Sequence, residues 1–138
     1  MALESVVFRY KPIGGHPCPM VTVAVKIAAE WRKLDLYVDY GAAFSVIHAN
    51  VAAALGFDWR SGRSVFIQVG GGSYLPVFLH KLPLQIGPYA SETTIAFTER
   101  LGIPFHLLGR LDIFDKFNIC FREREGVVVF EPVGVKIA

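Results

Sequence analysis

Leu34-Asp35-Leu36-Tyr37-Val38-Asp39-Tyr40-Gly41-Ala42 is the stretch on which the fold turns. It reads as an apolar strand that delivers one carboxylate, Asp39, into a tight glycine turn. Upstream, Val21-Thr22-Val23-Ala24-Val25-Lys26-Ile27 carries β-branched residues at every second position and reads as a strand. Trp31-Arg32-Lys33 is the polar connection between the two. A hairpin that feeds the Asp39 turn is the simplest reading.

Downstream, Ser45 to Leu55 fits a helix of about two turns, closed by Gly56 as a left-handed cap. Val65 to Val69 is a strand, Gly70-Gly71-Gly72-Ser73 a hairpin tip, and Tyr74 to Leu79 the return. Leu82 to Gly87 and Thr93 to Phe97 read as a further pair, with Pro83 suited to an edge or a strand start. Phe105-His106-Leu107-Leu108-Gly109-Arg110 sets an apolar pair before a glycine. Arg110 to Phe117 then has the spacing of a turn or two of amphipathic helix. Asn118 to Phe121 and Val127 to Phe130 form a last hairpin, with Arg122-Glu123-Arg124-Glu125 at its solvated end.

Composition agrees. Thirteen glycines and eight prolines punctuate short apolar runs, the texture of a mostly-β chain. At 138 residues and 53% hydrophobic, the chain suits one domain, 1–138. A mean hydropathy of +0.43 points to an apolar surface covered by another chain. Net charge is +2 and no basic run exceeds two residues, so no nucleic-acid partner is expected. No apolar run approaches the ~20 residues of a membrane span, and the N-terminus lacks a signal-peptide pattern. Cys18 and Cys120 do not make a disulfide framework, and a cytoplasmic location is the default.

Val38-Asp39-Tyr40-Gly41-Ala42, followed by Leu107-Leu108-Gly109-Arg110, resembles the paired signatures of the retropepsin-like aspartic proteases, prokaryotic members included. That family has Asp-Thr/Ser-Gly-Ala where this chain has Asp39-Tyr40-Gly41-Ala42. Gly70-Gly71-Gly72 falls where the family places its flap. The resemblance covers about 20–131 of the chain. The resemblance implies a closed, mostly-β barrel with one or two short helices, and a homodimer with the Asp turns at a two-fold axis. Asp39 would be catalytic, one per chain, and Tyr40, Gly41 and Ala42 would form the active-site turn. Leu107, Leu108, Gly109 and Arg110 would support that turn. Two such carboxylates ~3 Å apart share a proton and polarise one water. That water attacks the peptide carbonyl directly, and an extended peptide or unfolded protein is the substrate. No cofactor or metal is implied.

Tyr40 leaves two readings open. Its hydroxyl lies too far from its Cα to replace the short Thr/Ser hydroxyl that bonds across the family's dimer axis. The chain is either an aspartic endopeptidase or a catalytically impaired dimerisation or peptide-binding module of the same fold. Ala43 is a second departure, since retroviral relatives carry there an Asp that contacts substrate main chain, and a milder one, since prokaryotic relatives often lack that acid.

Blander readings stand beside these. Asp39 before Gly41 also suits an ordinary turn. Gly70 to Ser73 lacks the Gly-Lys-Ser/Thr of a phosphate cradle, and Ser45 has no nucleophile elbow. His16, His48, His80 and His106 show no metal-ligand spacing. Arg110 is expected to donate to a carboxylate or carbonyl, and Cys120 to be a buried small hydrophobe. Val133 to Ile137 offers either a terminal strand for dimerisation or a frayed end.

Overall fold

A computed structural model describes residues 3–68 and 72–135. The chain enters as β1 (Val6–Arg9) and a small hairpin, β2 (Lys11–Ile13) and β3 (His16–Cys18). There follow β4 (Met20–Ile27), β5 (Glu30–Val38), β6 (Ser45–His48), one short helix α1 (Ala49–Ala54) and a 3₁₀ turn at Trp59–Ser61. β7 (Arg63–Gln68), β8 (Tyr74–Ile86), β9 (Tyr89–Thr98), β10 (His106–Leu108), β11 (Phe117–Arg122) and β12 (Val127–Pro132) complete it.

Six strands close a barrel in the order β4-β5-β10-β6-β9-β8. Closure comes from β8 returning to β4, through Ala24↔Gln85 and Val25↔Leu84. The expected closed, mostly-β architecture is therefore present. Alternation builds it. Val21, Val23, Val25 and Ile27 point inward from β4 and are 2% exposed or less. Leu36, Ile47, Phe97 and Leu108 meet them in one core, which continues to Val128 and Phe130 beneath the β1-β12-β11 sheet. Each such side chain contributes about 1.5–3 kcal/mol by leaving water.

β8 is one long strand where the sequence suggested two. Its first half pairs with β7, from Arg63↔Leu79 to Gln68↔Tyr74, and its second half closes the barrel. Pro83 falls between those two pairings, on the stretch of that edge with no paired neighbour. The expected edge preference is met locally.

Four expectations give way. The β4–β5 turn is Ala28-Ala29, at φ 51° and 66°, and Trp31-Arg32-Lys33 lies inside β5. This is the left-handed pair of a tight hairpin, usually marked by Asn-Gly; alanine gives no such signal. Ser45–His48 is a strand, because it is clamped between β9 (Ser45↔Ile95 to His48↔Thr98) and β10 (Leu107↔Val46). Pairing overrides helical propensity there, and α1 starts only at Ala49. Gly56 does close it, at φ 69°. Arg110 to Lys116 is a chain of turns, broken by Asp112 at φ 66°, and Phe117 already opens β11. Cys120 is exposed, because strand alternation puts it on the outer face of β11 with Asn118. Val133–Val135 is not a strand, and 136–137 lie outside the described residues.

Candidate active site

β10 threads between β5 and β6. It runs parallel to β5 (His106↔Leu36, Leu107↔Tyr37, Leu108↔Val38) and antiparallel to β6. The Asp39 turn and the Gly109 segment cross at this point. The Asp39 amide donates to the Leu108 carbonyl at 3.0 Å. Beyond the crossing, the Arg110 and Leu111 amides donate to the Ala42 and Ala43 carbonyls, both at 2.9 Å. The buried Gly109 amide donates to Ser45 Oγ at 3.0 Å. A Cβ on Gly109 would fall on the Phe44 carbonyl and lie 2.9 Å from the Ala42 oxygen. Only glycine lets the two backbones come this close.

Within the turn, Ala42 N donates to Asp39 O at 3.2 Å, and Gly41 N donates to Asp39 Oδ1 at 2.9 Å. The second bond aims the carboxylate. Asp39 is half-buried and lines a cleft of about 950 Å³. Phe44, Val46, Ile67, Leu75, Leu101 and Leu107 make its walls mainly apolar, and Arg100 brings a cation. Among the described residues Asp39 is the sole carboxylate lining it. The β7–β8 arms reach the cleft through Ile67, Gln68, Tyr74 and Leu75. Gly72 lies past their end at φ 82°, whereas Gly70 and Gly71 lie outside the described residues.

Tyr40 points away from the cleft and is 65% exposed. Its ring meets Phe114 edge-on at 5.7 Å, and the Arg110 guanidinium sits 5.3 Å from the ring centroid. The partner of Arg110 is therefore an aromatic face, within cation–π range. Among the described residues it forms no ion pair. With Leu111, 44% exposed, these residues lay an apolar patch beside the Asp39 turn.

Two supports carry no mark in the sequence. Asp112 Oδ2 accepts from the Thr94 amide at 2.9 Å and the Thr94 hydroxyl at 2.8 Å, anchoring the 111–116 turns to β9. Burial pushes its carboxyl upward but is outweighed by the Thr94 bonds, Lys116 and Lys81, so it titrates below the usual carboxylate range. Nothing local announces a left-handed Asp inside an apparent helix. The second is an imidazole pair. His106 Nδ1 accepts from the His48 amide at 3.1 Å, and the rings lie 5.2 Å apart. No motif joins two histidines that only the β6–β10 crossing brings together.

Burial, with His48 acting the same way and Asp35 against it, lowers His106 to about 4 from its ordinary 6.5. A ring held neutral stabilises the fold fully above ~6.5, and that contribution is lost as pH falls toward about 4. Its size is on the order of 1–2 kcal/mol once partial exposure is discounted. Urea unfolding at pH 7 and pH 4.5 should show the loss, and His106→Gln should shrink it by about half. An unchanged pH difference in the variant would place the acid sensitivity elsewhere.

No protein-family model matches the chain, and no curated protein matches it in sequence. Solved structures do. A retropepsin-like aspartic protease from Rickettsia conorii superposes with a TM-score of 0.68 at 14% identity, over 96% of this chain and 94% of that one. The EIAV protease, solved with the inhibitor HBY-793, gives 0.52 at 21% identity, over 72% and 88%. Likeness at these identities is likeness of fold, and the chain has the retropepsin-like fold.

Proposed function

We propose that the chain is an aspartic endopeptidase that acts as a homodimer, one Asp39 per protomer. The observation that carries this is a half-buried carboxylate, aimed by the Gly41 amide, in a mainly apolar cleft that offers no second acid among the described residues. Water-activating dyads need two carboxylates, and a two-fold copy supplies the other. The apolar patch of Tyr40, Leu111 and Phe114 beside the turn would be covered by that copy. One Asp39 then takes a proton from the water as it attacks the scissile carbonyl, and the other donates to the carbonyl oxygen. Gly41 and Ala42 shape the turn, and Leu107, Leu108, Gly109 and Arg110 hold it in place.

The same reading makes the Gly70-Gly71-Gly72 tip a flap over an extended peptide bound along the cleft. Residues 20–131 work as one catalytic unit. No cofactor, metal, nucleic acid or membrane takes part, and the compartment is the cytoplasm. Among the described residues no helix is long and apolar enough to cross a membrane.

A second reading, a non-catalytic dimerisation or peptide-binding module, is favoured by Tyr40, whose ring is committed to Arg110 and Phe114. Two measurements separate them. A native mass of twice the 15.3 kDa chain, with cleavage of an unfolded protein blocked by a statine-type mimic, is expected. A strict monomer would remove the second carboxylate and the proposal with it. Tyr40→Ala should weaken the dimer by ~30-fold, the scale of losing an aromatic anchor at an interface. If Tyr40→Thr instead turns an inert protein into a peptidase, the module reading is the right one.

A further inference from the structure

The cleft has a neighbour that the proposed chemistry does not use. Phe44 lines the main cleft on one side and, on the other, a second cavity of about 400 Å³. Arg63, Leu79, His80, Lys81 and Leu111 are among its walls. Its two permanent cations, Arg63 and Lys81, are exposed and form no ion pair among the described residues. His80 is already engaged, with Nε2 2.8 Å from the Trp59 carbonyl oxygen. Among the described residues no carboxylate lines the cavity. The nearby Asp112 accepts from Thr94 through its Oδ2, and Lys81 acts on its carboxyl only at longer range, without forming an ion pair among the described residues. Asp39 and Arg100 are the charged side chains among the described residues lining the main cleft, with Gln68 and Ser73 as neutral polar ones, whereas this outer space sets half-buried Phe44 and Leu79 beside the exposed cations Arg63 and Lys81.

We infer that this cavity is an outer subsite that selects an acidic side chain, Asp or Glu, in a peptide whose residues at the point of cleavage are apolar. The inference rests on the peptidase reading and says what that site prefers. An extended peptide laid along the cleft past Phe44 projects alternate side chains to the same side. One of these reaches the Arg63–Lys81 rim. A carboxylate there pairs with two exposed cations that form no ion pair among the described residues, and its methylenes pack on Phe44 and Leu79. A lysine in that position meets like charge. In a two-fold dimer each protomer brings one such cavity, so the preference extends toward both ends of the peptide.

The test is binding, which needs no turnover. Two fluorescent ten-residue peptides with an apolar centre, one with Glu and one with Gln at the flanking positions, are titrated against the intact protein by anisotropy. The Glu peptide should bind about fivefold more tightly at low ionic strength, the scale of one or two partly exposed ion pairs. The advantage should vanish in about 0.5 M salt, where charges a few ångströms apart are screened. Arg63→Gln with Lys81→Gln should abolish it and leave the Gln peptide's affinity unchanged. Equal affinities for the two peptides, or a Glu advantage that survives the double substitution, overturn the acidic subsite and leave the peptidase standing. If neither peptide binds, both readings fall.

Discussion

Asp39→Asn is expected to leave a folded dimer that no longer cuts peptides. The substitution is nearly isosteric. The amide oxygen of the new side chain can still accept from the Gly41 amide, which lies 2.9 Å from Oδ1, and the backbone bond from position 39 to the Leu108 carbonyl is untouched. The side chain is only half-buried, so no costly buried charge is created or removed. Stability should move by about 0.5 kcal/mol or less. Activity should fall by ~10⁴-fold or more, because the proposed mechanism draws both its general base and its general acid from Asp39. Mixing adds a sharper measurement. In an exchanged equal mixture of native and Asp39→Asn chains, roughly a quarter of dimers hold two native protomers, and activity should drop to about that level. A mixture that keeps half its activity would mean that each chain works alone, and undiminished cleavage by the variant would remove Asp39 from the chemistry.

What could be read from the residues divides by range. Val21 to Ile27 and the 34–39 stretch announce their strands, because an alternating apolar face is a local property of the chain. Gly56 answers to a backbone conformation that other residues adopt only at a cost; the Gly14-Gly15 turn takes the same conformation but carries no reading in the sequence, because the three-residue strands β2 and β3 around it are too short to show a pattern. Asp39 and Gly109 were legible as a pair through their motifs, but their crossing was not a matter of spacing. It depends on β10 being threaded between β5 and β6, a contact set by tertiary pairing. The same pairing turned Ser45–His48 into a strand against its helical look. Ala28-Ala29 and Asp112 hid for another reason: each takes a left-handed conformation with a residue that does not advertise it. The second cavity was invisible because Phe44, Arg63 and Lys81 come from three separate segments, and none of them is unusual alone.

Gly109→Ala should be the most damaging single methyl that can be added near the site. The new Cβ would overlap the Phe44 carbonyl carbon and oxygen and press on the Ala42 oxygen, all backbone atoms that cannot rotate away. Relief requires the turn and β10 to part. That movement strains the Asp39–Leu108, Arg110–Ala42 and Leu111–Ala43 bonds together, and pulls the Gly109 amide from Ser45 Oγ. Overpacking of a rigid site costs about 3 kcal/mol or more, and the lost bonds add to it. Gly126→Ala is the comparison. Its φ is 66° but nothing lies within 4 Å of the added carbon, so only the left-handed penalty of about 1–2 kcal/mol applies. Urea midpoints should therefore rank Gly109→Ala well below Gly126→Ala, and equal midpoints would refute the close crossing. Any Gly109→Ala protein that still folds should also lose ~100-fold in cleavage at a temperature where it is fully native, because an Asp39 displaced by ~1 Å would fall out of register with the second carboxylate of the proposed dyad. Gly126→Ala, at the remote β11–β12 turn, should leave the rate unchanged.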